Sequence, residues 1–311
     1  MAADVRIRFR RPQRTDGGDA REAIQPVRHV APPRASRGAA GHAIGMSVLQ
    51  SVLAVLSGGL VGFMLGLIGG GGSILATPLL LYVVGLAPHQ AIGTGALAVS
   101  VSAFSNFGVH ARGGNVYWRM AILFAVVGVA GAAIGSSLGK TFDGKRLLFL
   151  FAILMVVVGV LVLRRGLRHP ARDAARTVER PASLRSMALV MLTALAVGCL
   201  SGFFGIGGGF LIVPGLLFST GMPMIYAVGS SLLAVGSFGL TTAANYATSG
   251  LVDWPVAGEY IAGGIVGGLL GTVLAVRLAP RKAALNQVFA VLVFIVAGYM
   301  LYRNATAMGI G

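Results

Sequence analysis

Residues 62–78 read GFMLGLIGGGGSILATP, and residues 198–214 read GCLSGFFGIGGGFLIVP. Each position of the first stretch maps onto the second by adding 136. Both stretches interrupt long apolar runs. A glycine inside a helix costs about 1 kcal/mol relative to alanine, and the amides it frees must find partners where there is no water. A chain that carries such a break twice, in matching places, is expected to use it.

The register extends outward from the breaks. Pro78 meets Pro214, Gly93 meets Gly229, Thr94 meets Ser230, Trp118 meets Trp254, Gly135 meets Gly271 and Arg146 meets Lys282. Coincidences of Gly, Pro and Trp over some hundred residues mark an internal repeat. Apolar segments fall at 47–68, 73–86, 89–110, 116–139 and 145–163. A second set follows at 187–204, 209–220, 225–247, 253–276 and 283–302. A membrane-spanning helix needs about 20 apolar residues. The second segment of each set is too short for that. Short, glycine-interrupted segments at corresponding places in two halves point to a transporter's binding site.

The reading is therefore an all-α, polytopic transmembrane bundle of two repeats, with about eight spans plus two broken or re-entrant helices. It divides into a disordered basic tail (1–45), repeat 1 (46–163), a basic cytoplasmic linker (164–185), repeat 2 (186–303) and a short C-terminal tail (304–311). Met46 directly precedes the first apolar segment and is a second candidate start. The charges bear on topology. Of 25 basic residues, nine lie in 1–45 and seven lie between Arg164 and Arg185. If both stretches are cytoplasmic, each half crosses an even number of times and the halves run parallel. Ten crossings with inverted halves are the alternative. A net charge of +16 spread over a soluble surface would suggest nucleic acid, but here it is confined to flanks of apolar segments. A mean hydropathy of +0.83 with only 11% charged residues leaves the lipid bilayer as the partner.

Chemistry is scarce inside the segments. Of nine acidic residues, four lie in the tail and two in the linker. Asp143 and Asp253 sit at segment ends. Glu259 is placed within a span, and it is the candidate for coupling a proton to transport. There is no carboxylate ladder of the kind cation pumps use, no metal-ligand spacing and no cofactor motif; GSSLGKT at 135–141 falls one residue short of a phosphate loop. Lone Cys199 excludes a disulfide framework within the chain. What remains is backbone amides and hydroxyls, which suit an anion. A helix N-terminus exposes free N–H groups and partial positive charge, and half-helices starting near residues 72–73 and 208–209 would aim them inward. Candidate binding residues are Gly70, Gly71, Gly72 and Ser73 at the first break and Gly207, Gly208 and Gly209 at the second. Thr94, Asn106, Ser230, Ser231 and Asn245 on the third segments add side-chain donors. Gly62 and Gly66, and Gly198 and Gly202, have the four-residue spacing of close helix packing.

With its paired G-x(3)-G-x(2)-G-x-G-G breaks, each followed by a proline, and the polar stretches AIGTGALAVSVSAFSN and AVGSSLLAVGSFGLTTAANY after them, the chain resembles the TauE/SafE family of membrane transporters. The resemblance covers about residues 47–303. It implies a multi-pass inner-membrane transporter and no enzyme, and it implies export of sulfite or a small organosulfonate. Another small metabolite is the alternative cargo. A non-transporting scaffold or an intramembrane enzyme is the alternative class, but no catalytic constellation is visible. Oligomeric state is not legible.

Overall fold

The long apolar runs become helices, and the glycine clusters interrupt them. A computed structural model describes residues 39–68, 70–168, 184–207, 209–222, 224–277 and 282–307. The helices are α1 (Ala39–Ile68), α2 (Ala76–Tyr82), α3 (Pro88–Arg112), α4 (Trp118–Thr141) and α5 (Gly144–Arg168). Then come α6 (Leu184–Phe204), α7 (Gly209–Thr220), α8 (Met224–Ala247), α9 (Trp254–Arg277) and α10 (Lys282–Ala307). A 3-10 segment, Gly70–Leu75, joins α1 to α2. No strand occurs among the described residues. Residues 43–311 group into one unit; of residues 1–42 only the start of α1 is described, so the expected tail lies mostly outside the described residues. The linker core at 169–183 does too.

Six helices are long and apolar enough to cross a membrane among the described residues, within α1, α3, α4, α6, α8 and α9. The segment spacing leads to about eight. The stretches Gly71–Tyr82, Gly209–Thr220 and Val293–Arg303 are apolar but shorter.

Local chemistry places the helix ends. Pro88 occupies the first turn of α3, where its missing N–H costs nothing. Asp143 Oδ1 accepts the amides of Lys145 (2.9 Å) and Arg146 (3.2 Å), capping α5. Asp253 Oδ1 accepts that of Val256 (3.1 Å), capping α9. Gly114 and Gly250, at φ of 71° and 67°, turn the chain after α3 and α8.

Glycine contacts set the helix directions. A Cβ on Gly58, Gly62 or Gly66 of α1 would collide with the backbone at Tyr260, Gly264 or Gly268 of α9. The numbers rise together, so α1 and α9 run parallel. On the other side, Gly198 and Gly202 of α6 lie against the backbone of Gly128 and Ala132 of α4, again in parallel. The packing role implied by the spacing of Gly62, Gly66, Gly198 and Gly202 is the one they take. Between apolar helices in lipid this close approach supplies the van der Waals contact that holds a bundle. Cys199 belongs to the same seam, its backbone lying against Gly131 and Gly135.

At the centre α3 and α8 cross antiparallel. Gly93 abuts the Leu251 carbonyl after α8, Ser100 Oγ donates to the Gly236 carbonyl at 2.6 Å, and Gly229 abuts the Asn115 carbonyl after α3. Rising numbers on one helix meet falling numbers on the other. The parallel halves expected from the two basic stretches are therefore not what the helices adopt, because α3 and α8 stand 136 residues apart and point opposite ways. Gln50 Nε2 of α1 donates to the Val84 carbonyl (3.1 Å) between α2 and α3. The Arg303 guanidinium near the end of α10 lies 5.6 Å from the Tyr82 ring centroid. Gln50 of α1 and the end of α10 thus share one face, the Val84 face. The short turn at 142–143 starts α5 on that same face, so α5 ends on the opposite one.

Candidate functional site

The second break is the sharper. α6 stops at Phe204, and Gly205 and Gly207 take left-handed conformations with φ of 66° and 65°. Only glycine holds these without strain. Gly205 lies against the Ile92 side chain of α3. Gly207 sits between α3 and α8: a Cβ there would be 3.0 Å from Val99 Cγ1 and 3.5 Å from Val235 Cγ1. α7 then starts at Gly209, as the half-helix reading anticipates, with its positive end at the break. Gly208 lies outside the described residues.

The first break differs. Gly70, Gly71, Gly72 and Ser73 do not begin an α-helix; they form the 3-10 segment, and α2 starts at Ala76. Pro78 does not account for this, since Pro214, 136 residues on, lies inside α7. Gly72 is pressed against the Met64–Leu65 backbone of α1, so the chain doubles back at once. Gly71, Gly72 and Ser73 are buried. The 3-10 segment packs on α7 and α8.

The side-chain candidates are engaged elsewhere. Thr94 Oγ1 accepts the Asp253 amide at 3.0 Å, and Ser230 Oγ accepts the Tyr117 amide at 3.0 Å. Each ties a loop amide at the start of α9 or α4. Ser231 Oγ donates to Val228 of its own helix (2.8 Å). Asn106 Oδ1 accepts from the Thr272 hydroxyl (3.2 Å), joining α3 to α9. Asn245 Nδ2 donates to Ser136 (2.7 Å) and Ser137 (2.9 Å), joining α8 to α4. Glu259 Oε1 accepts from Ser51 Oγ at 2.6 Å, pairing α9 with α1 near the Val84 face. Glu259 is not at the breaks. Trp118 and Trp254 are exposed at helix starts, as membrane-interface anchors would be.

Sequence reasoning passed over Lys140. Its Nζ donates to the Asn245 carbonyl (2.9 Å), Asn245 Oδ1 (2.6 Å) and Ser249 Oγ (2.9 Å). The available signal was a lysine one residue past an apolar run, which reads as an ordinary flank.

At the breaks themselves the chemistry is neutral. The buried polar residues among those described are Ser, Thr and Asn only; no Asp, Glu, Lys or Arg is buried. No His/Cys/Asp/Glu group with metal-ligand geometry occurs among the described residues. Backbone amides at a helix N-terminus can bind an oxyanion without a cationic side chain.

The family model described as "Sulfite exporter TauE/SafE" matches residues 54–300. A probable membrane transporter protein of Xylella fastidiosa (strain 9a5c) is 55% identical over 260 residues, covering 83% of this chain and 98% of the relative. The probable membrane transporter protein YunE of Bacillus subtilis is 26% identical over 234 residues, 70% of this chain and 85% of that one. A further relative of 26% identity, MJ0441 of Methanocaldococcus jannaschii, covers 61% of this chain and carries the same description. No solved structure matches. Helices long enough to cross a membrane, a glycine-rich 3-10 segment packed on α7 and a family match over most of the chain agree: the protein belongs to the TauE/SafE family and is a multi-pass membrane transporter.

Proposed function

We propose that the chain carries a small anion, sulfite or an organosulfonate, across the bacterial inner membrane, and that the anion binds where the two glycine breaks meet. The observation that carries the reading is the contact of the 3-10 segment with α7 in a bundle that buries no charged side chain among the described residues. The amino end of α7 supplies unpaired N–H groups and partial positive charge there, which suit an oxyanion. Gly70, Gly71, Gly72, Ser73, Gly207, Gly208 and Gly209 are the proposed ligands. Thr94, Asn106, Ser230 and Asn245 support them by tying neighbouring elements together, and Ser231, bonded within α8, is proposed as a donor near them. Transport of labelled sulfite, sulfoacetate and an uncharged metabolite is measured in cells with and without the protein. Flux of the anions alone is the expected outcome, and no protein-dependent anion flux removes the reading.

The two halves are proposed to be duplicated and inverted. Support comes from contacts that recur at the same offset: Thr94 with Asp253 and Ser230 with Tyr117, Gly62 with Gly264 and Gly198 with Gly128. α5 and α10, of 25 and 26 residues, are proposed to cross as well. Seven arginines between 164 and 185 favour the cytoplasm for the linker, whereas nine basic residues precede α1, so charge alone does not orient the bundle. Reporters fused at residues 170 and 311 are expected to read opposite compartments. The same compartment for both would exclude inversion.

A further inference from the structure

Lys140 stands apart from every other cation described. Arg112, Arg119, Lys145, Arg146 and Arg303 are exposed, whereas Lys140 is half-buried. Its three N–H groups rest on the neutral acceptors Asn245 O, Asn245 Oδ1 and Ser249 Oγ. No carboxylate balances its charge among those partners. A charge-assisted bond to an anion is about twice as strong as one to a neutral acceptor, so an arriving oxyanion competes well for these donors.

A second group points the same way. The Tyr246 side chain is 0% exposed, and its hydroxyl has no hydrogen-bond partner. That hydroxyl lies against α4 next to the lysine, 3.2 Å from where a Cβ of Gly139 would stand. The His89 ring stacks on Tyr246 with centroids 6.4 Å apart, and its Nε2 is also unpartnered. A buried unpaired hydroxyl costs about 1–3 kcal/mol, which a fold tolerates where a ligand completes it. The residues 136 away from Lys140, Asn245 and Ser249 are Val276, Val109 and Gly113, so the lysine and its acceptors have no like residue at those positions, while Tyr246 maps onto His110, whose Nδ1 is likewise unpartnered.

We infer that Lys140, Asn245, Ser249 and Tyr246 form a second oxyanion site on the Val84 face, apart from the glycine breaks. It rests on the anion reading above as a station through which the cargo enters or leaves. The oxyanion is either a soluble sulfur or phosphorus oxyanion or the phosphate of a lipid headgroup, since Lys140 and Ser249 stand at the ends of helices long and apolar enough to cross a membrane.

Thermal unfolding of the purified full chain separates the possibilities. One arm uses lipid-free detergent, with sodium sulfate against sodium chloride at equal ionic strength. The other uses nanodiscs of phosphatidylglycerol against phosphatidylcholine. Stabilisation of the wild type by sulfate, with an apparent Kd raised about tenfold by Lys140→Gln, assigns the site to a soluble anion. Stabilisation by phosphatidylglycerol alone, lost in Lys140→Gln, assigns it to the lipid phosphate. Tyr246→Phe, which removes one oxygen, is expected to weaken the same response several-fold and serves if Lys140→Gln does not purify. Equal responses in wild type and variants, or none in either arm, overturn the site. Gly207→Leu keeps the sulfate response if the two sites are separate, so loss of flux at the breaks and loss of binding at Lys140 are told apart.

Discussion

Gly62→Leu is expected to prevent the bundle from assembling. A Cβ at Gly62 alone would collide with the Gly264 backbone. A leucine adds three further carbons to a seam where α1 and α9 touch main chain to main chain. The neighbouring contacts Gly58–Tyr260 and Gly66–Gly268 allow no sideways slip, because moving α1 brings those glycines into the same obstruction. Overpacking of a soluble core costs about 1–3 kcal/mol where side chains can shift. Here the opposing surface is backbone, so the cost is at or above the top of that range. The chain still inserts, since its hydropathy is unchanged or raised. Size-exclusion chromatography and thermal unfolding in detergent check the outcome: an aggregated or early-melting protein is expected. Wild-type elution and melting would show that α1 and α9 do not hold the fold together. Gly198→Leu, facing Gly128 across the α4–α6 seam, is expected to behave alike.

Gly207→Leu is expected to leave assembly intact and stop transport. The two substitutions use the same residue types but meet different surroundings. At Gly207 a Cβ meets the Val99 methyl at 3.0 Å and Val235 at 3.5 Å, both side-chain atoms with some freedom. The left-handed φ of 65° adds about 1–2 kcal/mol of strain. That is a moderate cost, compatible with a folded protein. A leucine nevertheless fills the space at the amino end of α7 and denies an anion its approach to the backbone amides. Flux is expected to fall at least tenfold, equivalent to about 1.4 kcal/mol or more in binding or barrier. Surface expression and melting measured on the same preparations check the first half of the claim. A correctly folded Gly207→Leu protein with normal flux would remove the break as the binding site.

These contrasting glycines show where sequence reading succeeds and where it stops. The four-residue spacing of Gly62 and Gly66 is a local pattern, and it identified the packing face because small residues in lipid have few other uses. The start of α7 at Gly209 was legible for the same reason: glycine breaks a helix and the apolar run resumes after it. The 3-10 conformation of Gly70–Leu75 was not legible, although the two breaks are nearly alike in sequence. It depends on how α1 is met from behind by Gly72. Asn245 was visible as a polar residue costly to bury, but its partners Ser136, Ser137 and Lys140 lie more than a hundred residues away. Glu259 was visible too, while Ser51, which donates to it, carried no signal of its own.

By itself the sequence determined the membrane environment, the helical class, the approximate positions of the long helices, although α1 begins at Ala39 and not at 47, and the two breaks. Each follows from local composition: hydropathy sets what lies in lipid, and glycine and proline set where a helix stops. Only the tertiary structure decided that α3 and α8 run antiparallel, that Gln50 of α1 and the end of α5 lie on opposite faces, and that the 3-10 segment packs on α7. Flanking charges bias a helix weakly toward one side, whereas helix direction is fixed by which backbones can touch. That is a property of pairs such as Gly62 with Gly264 and Ser100 with Gly236, more than a hundred residues apart.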